Sequence, residues 1–133
     1  MRLAIIGSRT IVDSREIKSL IDSMIPYVIE KETPLTIISG GAKGVDTVVQ
    51  EWASERQHDF ILIKPYHLLD SRVPYEAKYF FVRNKQIVDN SDVIIAIWDE
   101  VSNGTHDTIR YAKKCNKQVI IYSTKQSKCI SIP

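Results

Sequence analysis

Five short apolar runs punctuate the chain: Leu3 to Ile6, Leu35 to Ile38, Phe60 to Ile63, Val93 to Trp98 and Gln118 to Tyr122. Within them the apolar residues are continuous rather than alternating and rich in Ile and Val, which is the pattern of strands buried on both faces. The stretches between repeat their apolar residues at steps of three and four, a helical spacing. From Asp13 onward Ile17, Leu20, Ile21, Met24 and Val28 form one stripe, with Asp13 and Glu16 as a capping box at its start. Pro26 falls inside that stripe and predicts a kink or an early end. A second helix is predicted from near Gly44, with Val45, Val48, Val49, Trp52 and Ala53 on one face. A third runs from about Tyr75 to Asp89, with Ala77, Phe80, Phe81, Ile87 and Val88 on its stripe and the polar Asn84 in the middle. A fourth follows Asn103-Gly104, turns Ile109 and Ala112 inward, and ends in Lys113-Lys114 with Asn116 as a left-handed cap.

Strands alternating with helices predict βαβ units with right-handed crossovers, hence an α/β domain whose parallel sheet of about five strands carries helices on both faces. The chain turns polar over 124–133, which reads as a loosely attached tail in which Cys129-Ile130 can add a short edge strand. At 133 residues, with 44% apolar and 26% charged, the chain suits one domain rather than two. Its 18 basic and 16 acidic residues leave a formal charge of +2, too small for the broad positive field of non-specific nucleic-acid binding. The apolar runs fall far short of the roughly 20 residues that span a bilayer. With no signal-peptide pattern after Met1, the expected location is the cytoplasm. Cys115 and Cys129 are too few for a disulfide scaffold, and no metal site or cofactor is expected from them or from the scattered His58, His67 and His106.

In open parallel sheets the ligand crevice lies beyond the carboxyl ends of the strands. The residues there are Gly7-Ser8-Arg9-Thr10, Ser39-Gly40-Gly41-Ala42-Lys43-Gly44-Val45-Asp46 and Asp99-Glu100-Val101-Ser102-Asn103-Gly104-Thr105. Glycines in such turns let backbone N–H groups approach an anion while the following helix start adds partial positive charge. The alternative is that they only permit tight packing of strand on helix. Neither the dinucleotide fingerprint nor the Gly-Lys-Ser/Thr ending of a P-loop is present, which weakens NAD-binding and kinase-type readings. Arg9 suits a phosphate and Ser8 can add a hydroxyl beside it. Arg83 and Asn84 are adjacent on the third helix, and a buried Asn84 must either tie down a loop or reach the ligand. Asp46 either caps its helix or faces the crevice, and Trp98 either stacks on a base or completes the core. No nucleophile elbow or glycosidase-like carboxylate pair stands out.

These residues resemble the SLOG superfamily of Rossmann-like domains, which includes the DNA-processing protein A family and the LONELY-GUY phosphoribohydrolases. The resemblance rests on Gly7-Ser8-Arg9, on Ser39 to Asp46, on Arg83-Asn84 with Ser91-Asp92, and on Trp98-Asp99 through Ser102-Asn103-Gly104-Thr105. It is nearest to a small stand-alone YspA-like subfamily. It implies a single three-layer Rossmann-like domain over 1–123 that binds a nucleotide or nucleotide-derived small molecule, and a homo-oligomer. The ligand set it implies is Gly7, Ser8, Arg9, Ser39, Gly40, Gly41, Lys43, Gly44, Asp46, Arg83, Asn84, Trp98, Ser102, Asn103, Gly104 and Thr105. The phosphoribohydrolase branch carries a glutamate three residues after the threonine of its Gly-Thr turn, where this chain has Thr108. Arg83 matches the arginine that works with that glutamate. Similarity therefore favours binding over N-glycosidic hydrolysis, for which Asp99 and Glu100 with Arg83 are the catalytic candidates. Single-stranded DNA binding is a third expectation, which the small net charge disfavours.

Overall fold

The computed structural model describes residues 1–11, 13–29, 34–40 and 44–131. Among them six strands form one sheet: β1 (Arg2–Gly7), β2 (Thr36–Ser39), β3 (Asp59–Leu62), β4 (Val93–Trp98), β5 (Gln118–Ser123) and β6 (Lys128–Ser131). Their order is β3-β2-β1-β4-β5-β6, with the first five parallel and β6 antiparallel to β5. The connecting helices are α1 (Ser14–Met24), α2 (Val45–Glu55), the single-turn α3 (Tyr66–Leu69), α4 (Ala77–Asp89) and α5 (Asn103–Lys114).

Alternate residues of the central strands enter two separate cores, which is why their apolar runs are unbroken. Leu3 and Ile5 of β1, with Ile95 and Ile97 of β4, pack against Ile17, Ile21 and Met24 of α1 and Val45, Val49 and Trp52 of α2. Ala4 and Ile6, with Ile94 and Ala96, face Ile87 and Val88 of α4 and Ile109 and Ala112 of α5. The α1 cap forms as its sequence predicts, with the Asp13 carboxylate accepting the Glu16 N–H at 3.1 Å. The helix stops at Met24 and one 3-10 turn, Ile25–Tyr27, carries Pro26. Asn116 takes the left-handed conformation after α5 at φ 57°.

Two expectations are corrected. The strand at Phe60 is not buried on both faces: β3 lies at the sheet's edge, and Ile61 and Leu62 are each 37% exposed. On α4 the exposed Ala77 and Phe81 leave the predicted stripe, and Arg83 takes a buried place with Ile87 and Val88. The short edge strand expected at Cys129-Ile130 forms beside the five parallel strands: Lys128–Ser131 folds back along β5, with the half-buried Cys129 against the first core. No helix among the described residues is long and apolar enough to cross a membrane.

Candidate functional site

A cleft of about 430 Å³ opens beyond the carboxyl ends of β1 and β4. The strand order reverses there: the chain proceeds from β1 to β2 on one side and places β4 on the other. Two loops diverging at such a point leave a crevice that neither covers. Its floor is apolar, from Ile6 and Ile87, and its walls differ in kind.

One wall is α4, which presents Phe80, Arg83, Asn84 and Ile87, residues at steps of three, one and three along one helix face. Arg83 is only 6% exposed. Its Nη1 donates to the Gly40 carbonyl at 2.6 Å and, at 3.5 Å, to that of Ile63, while Nε donates to the Asn84 Oδ1 at 2.9 Å. Asn84 thus orients the guanidinium rather than a neighbouring loop. Nη2 has no protein acceptor among the described residues, and no carboxylate there lies within ion-pair distance of Arg83. Burial pulls the Arg83 pKa down, the more distant Asp46 carboxylate partly offsets this, and Arg9 lowers it further. Arg9 and Arg83 both lie over the Phe80 ring, at 5.4 and 5.5 Å from its centroid. Gly40 makes this possible, since a Cβ there would fall 2.5 Å from the guanidinium Nη1.

The opposite wall is the loop from Asp99 into α5, with Val101, Ser102, Gly104, Thr105 and Thr108 lining the cleft. Asp99 accepts from the N–H groups of Val101 and Ser102 at 2.9 and 2.7 Å and from the Thr10 hydroxyl at 2.8 Å. Burial alone would raise its carboxyl pKa, but the bonds from Ser102, Val101, Thr10 and Ser8 outweigh burial and hold it below the ordinary carboxylate range. A Cβ built on Gly104 would meet nothing within 4 Å, so the first turn of α5 stands open. The Thr108 hydroxyl donates to the Gly104 carbonyl at 2.9 Å.

Of the sequence-derived candidates, Gly7, Arg9, Asp46, Arg83, Asn84, Asp99, Ser102, Gly104 and Thr105 line the cleft together. Ser8 is buried behind them and its hydroxyl accepts the Asp99 N–H at 3.1 Å. Ser39 is fully buried and Gly40 supports Arg83 from behind. Gly44 precedes α2 at φ +83°, where a Cβ would press to 2.9 Å on the carbonyl oxygens of Arg9 and Ile11, so the position calls for glycine. Trp98 donates to the Ser102 carbonyl at 3.1 Å and stacks on His106, outside the cleft lining. Asn103 is exposed at the start of α5. Glu100 turns away: its carboxylate accepts from Ser123 and Gln126, at 2.8 and 2.9 Å, in the turn before β6. Gly41 and Lys43 lie outside the described residues. Phe80 is a cleft residue absent from the expected ligand set, although its spacing from Arg83 and Ile87 was an available signal, and Thr10, expected at the crevice but not as a ligand residue, also lines the cleft. No group of three metal-ligating side chains gathers among the described residues.

The first half of the chain, residues 1–67, matches the model of the YspA, cpYpsA-related SLOG family. The chain belongs to that family. No curated protein matches the sequence. The fold is shared by DNA processing protein A from Helicobacter pylori, a protein with a single-stranded DNA binding mode, at 21% identity and a TM-score of 0.71 over 97% of this chain and 68% of that one. DNA processing protein A from Streptococcus pneumoniae gives 20% identity and a TM-score of 0.70 over 90% of this chain and 49% of that one. The structural-genomics target TM1055 gives 18% and 0.60, over 89% of this chain and 71% of that one. This SLOG chain therefore spans about half the length of the pneumococcal protein, and these likenesses concern the fold.

Proposed function

We propose that the cleft binds a nucleotide or nucleotide-derived ligand through its phosphate and does not cleave it. The observation that carries this reading is Arg83, a guanidinium 6% exposed and held by neutral groups. A buried cation without a close counter-charge is costly in the free protein, so a partner anion is the economical explanation for it. The open first turn of α5 on the facing wall supports the same ligand, because N–H groups at a helix start favour negative charge. Ile6, Ile87 and Phe80 give an apolar surface for the rest of the molecule.

Hydrolysis of an N-glycosidic bond needs a proton donor or acceptor at the site. Asp99 is committed to four hydrogen-bonding partners and Glu100 faces the other way, so neither suits that task. Asp46 is the remaining cleft carboxylate, and hydrolysis would have to run through it. The test is calorimetry with nucleoside 5′-monophosphates and nucleoside diphosphate sugars, with free base followed by chromatography in the same mixtures. Micromolar binding without base release is expected. Rapid base release would establish the hydrolase instead, and preference for an unphosphorylated nucleoside would remove the phosphate from the account. A single-stranded oligonucleotide in the same series tests the remaining reading, for which tight binding with a steep salt dependence is the signature.

A further inference from the structure

The cleft's two anion-seeking elements sit on different loops, and one side chain joins them. Ser8 and Thr10, on either side of Arg9, both hydrogen-bond to Asp99, the first accepting its N–H and the second donating to its Oδ2. Its other oxygen, Oδ1, takes the N–H groups of Val101 and Ser102. Ser102 then caps α5, its hydroxyl accepting the Thr105 N–H at 3.5 Å. Three N–H groups of this segment are thereby used, and those of Asn103 and Gly104 have no protein acceptor among the described residues. The next residue secures the loop from behind: Glu100, at φ 64°, accepts from Ser123 and Gln126, and the Thr124 N–H donates to the Trp98 carbonyl at 2.9 Å.

We propose that Asp99 is a positioning residue that locks the loop carrying Arg9 to the loop carrying the open N–H groups of Asn103 and Gly104, so that one phosphate-bearing nucleotide meets both at once. Its functional consequence rests on the nucleotide-binding reading; its geometry does not. A carboxylate is suited to this because its two oxygens accept several donors from different directions, and charge-assisted bonds are about twice as strong as neutral ones. Preorganised donors bind better than donors that must be ordered by the ligand.

Amide hydrogen exchange and titration with adenosine 5′-monophosphate test this on the full chain. Asp99→Ala should speed exchange at Val101 and Ser102 at least about tenfold, leave the sheet amides slow, and weaken binding by about tenfold. Asp99→Asn retains an oxygen for the two N–H groups and offers an amide to the Thr10 hydroxyl, so it should restore slow exchange and most of the affinity. A group acting on the nucleotide by its charge or proton would not be rescued in this way. The penalty of Arg9→Ala should shrink in the Asp99→Ala background, where the arginine is no longer held. Should Asp99→Ala fail to fold, Thr10→Val removes one strut alone and should give a smaller loss of the same kind. Unchanged exchange at Val101 and Ser102, an Asn variant no better than Ala, or fully additive penalties with Arg9 would overturn the role. A parent that binds no adenosine monophosphate while exchange responds as stated would refute the nucleotide reading and leave the lock standing.

Discussion

The two walls of the cleft reach the same electrostatic end by opposite means. The α4 wall holds a full positive charge, desolvated and fastened by the Gly40 carbonyl and the Asn84 amide. The α5 wall holds no cation and offers backbone N–H groups kept in place by Asp99. A buried guanidinium is expensive without an anion, whereas neutral N–H groups at a helix start are satisfied by water. The α4 wall should therefore respond to ligand in both stability and affinity, and the α5 wall chiefly in affinity.

Breaking the α4 wall gives the largest expected effect. Gly40→Ala places a Cβ where the Arg83 guanidinium lies, and the flexible arginine must move away. Nucleotide affinity should fall by about ten- to a hundredfold, the equivalent of one lost charge-assisted contact, as read by calorimetry. Crystallography of the variant should show Arg83 displaced. On the other wall Gly104→Val fills open space, so its melting temperature should stay close to the parent's while affinity drops by about tenfold through loss of room for the phosphate. A stability loss as large as the affinity loss would mean that the two walls do not differ as stated.

Arg9 sharpens the contrast within the cations. It is exposed, with Phe80 as its aromatic contact, so Arg9→Ala should cost only about two- to fivefold in affinity, in keeping with a solvent-screened charge. Equal penalties for Arg9 and Arg83 would show that burial does not set their strength.

How far the sequence foretold these walls follows from what each element packs against. The doubly covered strands β1 and β4 and the helix start near Gly104 were legible, because continuous Ile and Val runs and a glycine turn ahead of a helical stripe are local signals. The edge position of β3 was not, since Phe60-Ile-Leu-Ile reads the same in the centre of a sheet as at its rim. On α4 the apolar stripe was misplaced by Phe81 and Ala77: helical spacing fixes which residues share a face, and tertiary packing decides which face turns inward. Arg83 at a buried position was visible only as a residue type. The split roles of Asp99 and Glu100 depend on the left-handed backbone at Glu100, which non-glycine residues seldom adopt and which no composition signal announces.

The smallest effect lies away from the cleft and serves as its control. His58 Nδ1 accepts the Leu35 N–H at 3.0 Å, and burial, then Arg56, lowers its pKa. Protonation must break that bond. A depressed folded pKa means that its contribution is present above the ordinary histidine range of about 6.5 and is lost as pH falls through the lower folded value. Thermal stability should therefore decline modestly on acidification below that range, and His58→Gln should flatten the profile without changing nucleotide affinity at neutral pH.

The most direct test of the central claim is a paired measurement on Arg83→Gln, thermal unfolding and nucleotide titration on the same sample. A glutamine amide nitrogen falls where the arginine Nε lies, so it can still donate to the Asn84 Oδ1 but carries no charge. Without nucleotide the variant should melt at or above the parent's temperature, because a buried cation with no ion pair among the described residues has been removed, while affinity should fall by at least about tenfold. A variant that melts well below the parent yet binds nucleotide as tightly would make Arg83 a structural residue and contradict the assignment of this cleft to a phosphorylated ligand.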